Sequence, residues 1–304
     1  MVEQRVSGVG PAGIEIAYER LGDPDRPPLL LLMGAGGQLI DWPDGFCDLL
    51  VADGWQVIRF DSRDSGRSTH FHDAPAPDIM AAIGGDVSSA AYTLSDMAAD
   101  AVGLLDSLGI EDAHLVGASL GGMIAQTIAI EYPRRVRSLT SIMSTTGDPA
   151  VGQADPDVFG QAGPPPADRD GYRDWSVRTK RASGSPGFGF DADAVRSHAG
   201  RVFDRGVDFA GMMRQSVAVL ASGDRTARLS EVTAPTLVLH GAADRVFDVS
   251  GGRATAAAIP GAKLIVFEGM GHSLPRELWP EFAAYLGALV AAAESGVAVA
   301  DWPS

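Results

Sequence analysis

One serine lies in a sequence setting that can activate it as a nucleophile. Residues 117–121 read Gly-Ala-Ser-Leu-Gly and match the pattern G-x-S-x-G, with Ser119 at the centre. A short apolar run precedes the match and an amphipathic stretch follows it, which is typical of a sharp strand-to-helix turn. Such a turn would present the hydroxyl at the positive end of the helix. The pattern alone is weak, because a glycine-rich packing turn with an incidental serine has the same letters.

An acid and a base at matching places strengthen this interpretation. A serine nucleophile needs a base, and the base needs a carboxylate that fixes its tautomer. Asp244 and His272 each follow an apolar run that predicts a strand. Asp248 is a rival acid, and we favour Asp244 because it lies nearer the end of its strand. The order serine, acid, histidine along the chain predicts a catalytic triad of Ser119, Asp244 and His272.

Small residues follow the most apolar strand and predict an oxyanion hole. Residues 33–37 read Met-Gly-Ala-Gly-Gly, which lets backbone N–H groups approach a substrate closely. We predict that the N–H groups of Ala35 and Leu120 are the two donors. Four further residues are candidates for the substrate pocket: Gly34, Trp175, Met212 and Met213.

Strands and helices that alternate along the chain must position these residues. Short apolar runs predict strands, and longer runs with apolar residues three and four apart predict helices. The predicted strands cover residues 14–18, 29–33, 57–60, 114–117, 136–143, 235–239 and 262–267, the first of them at a sheet edge. The predicted helices cover residues 94–108, 123–131, 191–199, 209–221 and 279–293. This rhythm predicts an α/β fold, with a mostly parallel central sheet flanked by helices.

A break in the rhythm predicts a second unit. Between about residues 144 and 229 the chain is punctuated by prolines and glycines, is rich in Arg and Asp, and has few runs typical of strands. We therefore predict a core of residues 1–144 and 229–304, with residues 145–228 inserted after a late strand as a helical cap.

Composition excludes several classes of function. A formal charge of −15 provides no net basic field for a nucleic acid. The lone Cys47 excludes an intrachain disulfide and a cysteine-rich zinc site. No apolar run reaches the length of a membrane span, and the first residues lack the pattern of a secretory signal, so we expect a cytoplasmic protein, either a monomer or a homodimer. His70 and His72 fall in a polar stretch where we expect them to be solvated.

These residues together resemble the α/β-hydrolase superfamily, and more narrowly the aclacinomycin methylesterase-like group of actinobacterial serine hydrolases. The resemblance rests on the motifs at residues 32–34, 41–43, 59–68, 117–121 and 269–275. It implies an α/β-hydrolase fold, with the family's nucleophile, acid and base at Ser119, Asp244 and His272. Met33 departs from the pattern, since most of the superfamily has histidine there.

The triad and the resemblance predict a serine-dependent carboxylic ester hydrolase that works through an acyl-enzyme. The expected substrate is a small-molecule, hydrophobic or polyketide-like ester, either a methyl ester or another carboxylic ester, and the chemistry requires no metal or cofactor. A carbon–carbon bond hydrolase or a perhydrolase would use the same triad. A ligand-binding homologue without catalysis is a third alternative.

Overall fold

An eight-stranded sheet forms the centre of the protein, in a computed structural model that describes residues 2–160 and 163–295. The strands are β1 Gln4–Val9, β2 Ile14–Leu21, β3 Pro28–Leu32, β4 Gln56–Phe60, β5 Ala113–Ala118, β6 Val136–Ile142, β7 Thr236–Gly241 and β8 Lys263–Phe267. Their spatial order is β1-β2-β4-β3-β5-β6-β7-β8. The pairs β1–β2 and β2–β4 are antiparallel, and all other pairs are parallel. The predicted α/β fold with a mostly parallel sheet is confirmed.

Helices cover both faces of the sheet and fill the stretch between β6 and β7. Within the described residues they are α1 Asp44–Ala52, α2 Ile79–Ile83, α3 Leu94–Ser107, α4 Leu120–Glu131, α5 Pro156–Gly160, α6 Arg169–Ser183, α7 Ala192–Arg205, α8 Phe209–Ser222, α9 Thr226–Leu229, α10 Val249–Ala258 and α11 Trp279–Ser295. No helix in the described part of the chain is both long and apolar enough to cross a membrane.

The central strand β3 shows how the core is divided. All five of its residues are buried, as the apolar run predicts. Leu30 and Leu32 pack with residues of α3 and α4 on one face, whereas Leu29 and Leu31 pack with residues of α1 and α11 on the other. Side chains of a strand alternate between its faces, so a strand covered by helices on both sides must be apolar throughout.

Two predicted elements differ in the structure. The strand at residues 14–18 was expected at the edge, but β1 lies outside it and β2 continues to Leu21. The sequence of β1, Gln-Arg-Val-Ser-Gly-Val, is polar and mostly exposed, so it lacks the alternation that reveals a half-buried strand. The helix predicted over residues 191–199 continues to Arg205, because it packs along α6.

The chain between β6 and β7, residues 143–235, is called the inserted segment below. It contains α5 to α9. Buried ion pairs tie it to the loop that follows β4: Arg214 on α8 donates to both carboxylate oxygens of Asp64, at 2.9 and 2.7 Å, and Arg205 on α7 donates to Asp61. All four side chains are less than a tenth exposed, so the pairs are little screened by solvent.

A buried arginine on β4 joins this strand to β2 and to the start of α1. Arg59 on β4 is almost fully buried. Its guanidinium donates to Glu19 on β2 at 2.8 Å, to Asp44 at the start of α1 at 2.7 Å, and to the carbonyl oxygen of Trp42. Its charge is compensated only while these partners stay in place, since removing one member of a buried ion pair leaves the other charge without compensation.

We expect the substitution Arg59→Leu to destabilise the fold by about 3–5 kcal/mol, because Glu19 would be left buried without its partner. Arg5→Leu is the matched control, since the Arg5–Glu15 pair is exposed and we expect a change below about 1 kcal/mol. Urea unfolding measures both free energies. Equal losses for the two variants would contradict the assignment of Arg59 as a structural ion-pair residue.

Candidate active site

A sharp turn between β5 and α4 presents Ser119. Its backbone φ of 56° and ψ of −120° lie in a region that residues other than glycine rarely adopt. Side chains do not fit around it: a Cβ on Gly121 would lie 2.0 Å from the carbonyl oxygen of Leu32, and one on Gly117 would lie 2.2 Å from that of Gly121. The turn thereby lies against the loop after β3, where a Cβ on Gly34 would be 3.1 Å from that of Ser119.

Ser119, His272 and Asp244 form a hydrogen-bonded chain. Ser119 Oγ lies 3.0 Å from His272 Nε2, and His272 Nδ1 lies 2.8 Å from Asp244 Oδ2. An ionised carboxylate only accepts, so Nδ1 donates to Asp244 and Nε2 is left to accept the serine hydroxyl. The three residues follow β5, β8 and β7, which are parallel and end at the same edge of the sheet. Two hydrogen bonds therefore link the three predicted triad residues, with His272 in the middle. Their catalytic roles stay a prediction.

Asp244 is fixed by its own loop and shielded from solvent. Its side chain is fully buried, and its Oδ1 accepts the backbone N–H groups of Val246 and Phe247 at 2.8 and 3.0 Å. The ring of Phe247 meets the His272 ring edge to face, with centroids 5.8 Å apart. These contacts leave the second oxygen, Oδ2, directed at His272 in a buried site, where a charge-assisted hydrogen bond is strong.

Two other titratable residues near this chain have different partners. Asp248 begins α10, and its Oδ1 accepts the N–H of Ser250 at 2.8 Å, so it acts as a helix cap. His240 is fully buried, and its Nε2 faces the carbonyl oxygen of Phe247 at 2.8 Å. Burial lowers the pKa of His240, which favours the neutral form of this ring, 3.7 Å from Asp244. Of the two candidate acids, Asp244 is the one that contacts the histidine.

The N–H groups of Leu120 and Ala35 are the two predicted oxyanion donors. Leu120 is the first residue of α4, where an N–H has no acceptor within the helix. Ala35 belongs to residues 33–37, called the oxyanion loop below. Within the described chain, neither N–H donates to a protein acceptor. Both groups that the sequence predicts as oxyanion donors are thus available to a ligand.

Gln215 on α8, in the inserted segment, holds the oxyanion loop. The sequence did not predict this residue. Gln215 is fully buried, and its Oε1 accepts the N–H of Gly36 at 2.7 Å. Its Nε2 donates to the carbonyl oxygen of Arg63 at 2.7 Å and to the hydroxyl of Ser65 at 3.0 Å. Met212, one turn earlier, packs on the same loop, since a Cβ on Gly36 would lie 2.9 Å from Met212 Cγ. The one sign of this residue in the sequence is that a side-chain amide lies within a mostly apolar helix.

The loop that carries His272 is also held by the inserted segment. The carbonyl oxygen of Ser183, at the end of α6, accepts the N–H of His272 at 2.8 Å. The hydroxyl of Ser185 accepts the N–H of Gly271 at 2.9 Å. The backbones approach so closely that a Cβ on Gly271 would lie 2.0 Å from the carbonyl oxygen of Gly184. The inserted segment therefore holds both the loop of His272 and the oxyanion loop.

The four predicted pocket residues lie in different surroundings. Gly34 is beside Ser119, and Met212 packs on the oxyanion loop. Met213 is half-buried on α8. Trp175 lies on α6, where it stacks with Tyr172 at a centroid distance of 5.5 Å. Their part in substrate binding stays a prediction.

One group of the described residues has the spacing of metal ligands: the ligand atoms of His70, His72 and Asp208 lie within 4.8 Å of one another. His70 is not solvated as expected, because its Nδ1 lies 2.9 Å from Asp208 Oδ2 and its Nε2 3.1 Å from the carbonyl oxygen of Gly66. His72 is exposed and stacks on His70. Since Arg214 donates to the same Asp208 oxygen at 3.1 Å, we interpret the group as an ion-pair network.

We expect Gly121→Ala to destabilise the protein by about 3 kcal/mol or more, because the added methyl group would meet backbone that cannot rotate away. Gly287→Ala on α11 is the control, since its Cβ would make ordinary contacts at 3.4 Å with Trp55. Because alanine has the higher helix propensity, this variant should be more stable by up to about 1 kcal/mol. Thermal and urea unfolding measure both. A tolerated Ala at position 121 would refute the tight turn.

The fold and this site define a member of the α/β-hydrolase fold family, and the chain belongs to it: the family model, described as alpha/beta hydrolase fold, matches residues 27–275. The chain is 31% identical to rhodomycin D methylesterase DnrP of Streptomyces peucetius over 295 residues, which cover 90% of this chain and 94% of that protein. The resemblance predicted from the motifs is confirmed.

One further relative and one solved structure extend the comparison. A 2-hydroxy-6-oxononadienedioate/2-hydroxy-6-oxononatrienedioate hydrolase of Paraburkholderia phymatum is 28% identical, with 81% of each chain covered. The crystal structure of the esterase RhEst1 from Rhodococcus superposes with a TM-score of 0.71 at 21% identity, covering 96% of this chain and 99% of that one. The second likeness supports the fold alone.

Proposed function

We propose that the protein is a serine-dependent carboxylic ester hydrolase that works through an acyl-enzyme. The observation that carries the proposal is the chain of hydrogen bonds from Ser119 through His272 to the buried Asp244, at 3.0 and 2.8 Å. This geometry matches the requirement for a serine made nucleophilic by a base that a carboxylate orients. An intact, bonded triad also argues against a homologue that has lost catalysis.

The first half of the reaction forms the acyl-enzyme. His272 Nε2 takes the proton of Ser119 Oγ as this oxygen attacks the ester carbonyl carbon. The N–H groups of Ala35 and Leu120 stabilise the negative charge that develops on the carbonyl oxygen. The imidazolium then gives its proton to the departing alcohol, and the carbon–oxygen bond to the alcohol breaks.

The second half releases the acid. Water enters, His272 removes its proton, and the resulting oxygen attacks the acyl carbon in the same oxyanion hole. Collapse of the intermediate returns the proton to Ser119 and frees the carboxylic acid. Asp244 stays ionised throughout and stabilises the imidazolium, while its bonds to Val246 and Phe247 prevent its rotation.

For the substrate we propose a methyl or other small alkyl ester of a hydrophobic, polyketide-like acid. Two Streptomyces rhodomycin D methylesterases support this class, since the chain is 31% and 30% identical to them and covers 94% of each. In this proposal residues 145–228 form a cap over the site, and Gly34, Trp175, Met212 and Met213 contribute to the acyl pocket.

A carbon–carbon bond hydrolase is the second candidate. The relative from Paraburkholderia phymatum, whose name states the hydrolysis of an oxo-dienedioate, favours it. The same serine and histidine would act, with a carbon leaving group in place of an alcohol. Turnover of a vinylogous 1,5-diketone in the absence of ester turnover would select this candidate. A perhydrolase would instead consume peroxide with a short acid.

The test is labelling with a fluorophosphonate probe, followed by peptide mass spectrometry, beside a panel of aromatic methyl esters and short p-nitrophenyl esters. We expect an adduct on Ser119 and turnover of at least one ester, because the base keeps this hydroxyl nucleophilic. Ser119→Ala is the control and should lose both without unfolding. An adduct on another residue, or no adduct, would refute the proposed nucleophile.

We expect Asp244→Asn to lower kcat by roughly 10³–10⁴-fold with little change in melting temperature, because the amide favours the wrong histidine tautomer but still accepts from Val246 and Phe247. Asp248→Asn is the matched control: asparagine caps helices as well as aspartate does, so kcat should stay within about threefold. The opposite pattern would make Asp248 the acid.

A further inference from the structure

The oxyanion loop contains a turn whose backbone has two accessible forms. The N–H of Gly37 donates to the carbonyl oxygen of Gly34 at 3.0 Å, which closes a four-residue turn. Gly36, its third residue, has a φ of +66°, as in a type II turn. Rotation of the Ala35–Gly36 peptide converts such a turn to type I, and glycine tolerates either form. The turn's own hydrogen bond therefore does not select one orientation.

The side chain of Gln215 makes the contact that selects one orientation of the Ala35–Gly36 peptide. Its Oε1 accepts the N–H of Gly36 at 2.7 Å, which holds the Ala35–Gly36 peptide in the type II orientation. The side-chain amide of Gln215 cannot rotate by 180°, because its Nε2 donates to the carbonyl oxygen of Arg63 at 2.7 Å, and the amide oxygen could not replace this donor. Gln215 is fully buried, so water does not replace these bonds.

The helix that carries Gln215 is itself anchored. The neighbouring Arg214 forms a two-bond ion pair with Asp64, and Met212 packs against Gly36. A displacement of α8 would therefore be transmitted to the loop that contains Ala35. An oxyanion donor is effective only within a few tenths of an ångström, and a misplacement of about 1 Å lowers rates by about 10²-fold.

We propose that Gln215 is a positioning residue for ester hydrolysis, which fixes the backbone of the oxyanion loop at Gly36, the residue that follows the proposed donor Ala35. It acts through Gly36 and makes the oxyanion hole dependent on the inserted segment. The proposal rests on the proposed ester hydrolysis. The loss of Gln215 should affect the transition state more than substrate binding, since the oxyanion exists only in the former.

Three variants test the proposal. Gln215→Met removes all three side-chain hydrogen bonds at similar volume and should lower kcat about 10- to 100-fold, with KM within about threefold. Gln215→Glu should recover much of the loss, because a carboxyl group kept protonated by burial can accept from Gly36 and donate to Arg63. Ser65→Ala removes only the contact at the far end of the amide and should leave kcat within about threefold.

Hydrogen exchange of the Gly36 amide gives a readout that needs no turnover. We expect its protection to be lost in Gln215→Met and kept in Ser65→Ala. Both variants should stay folded, with a lower melting temperature in Gln215→Met because the buried groups of Gly36 and Arg63 lose their partner. Lost protection with unchanged kcat, or lowered kcat with protection intact, would overturn the proposal. If the unsubstituted protein hydrolyses no ester, the proposed function fails, while the exchange measurement still decides whether Gln215 holds the loop.

Discussion

The close approach of α4 to the end of β3 is the constraint on which the site depends. The backbone of Gly121 lies so close to Leu32 that no side chain fits at position 121. This close approach brings the serine turn against the oxyanion loop. Ser119 adopts a conformation that costs about 1–3 kcal/mol, and four hydrogen bonds to its backbone hold it there. Its N–H donates to Ile142, and its carbonyl oxygen accepts from the N–H groups of Gly122 and Met123 and from the hydroxyl of Ser144. The sheet and α4 together therefore fix the backbone that carries the hydroxyl.

The core of the fold and the three triad candidates were predictable because their signals are local. Each strand that leads to Ser119, Asp244 or His272 is a short apolar run, and each candidate follows its run within a few residues. Parallel strands end at one edge of a sheet, so the connectivity brings the three loops together without any knowledge of side-chain contacts. The choice of Asp244 over Asp248 rested on the same distance from the strand end.

Features that depend on distant partners were not predictable. Gln215 is defined by bonds to residues 179 and 152 positions away, and a lone amide in a helix says nothing of either. β1 is a strand because β2 offers it an edge, although its own sequence is polar. His70 lies in a polar loop, yet Asp208, 138 positions later, holds it half-buried. Spacing along the chain reports the elements, whereas tertiary contacts decide these residues.

The inserted segment is fixed at both sides of the site, which limits how it can move. At one side α8 holds the oxyanion loop through Gln215 and Met212, and at the other the end of α6 holds the loop of His272 through Ser183. Opening of the whole segment as a rigid lid would break these bonds and expose the buried pair of Arg214 and Asp64. Substitutions that shift this segment would then also shift the loop of His272 or the oxyanion loop, so the packing of the segment and the geometry of the candidate site are coupled.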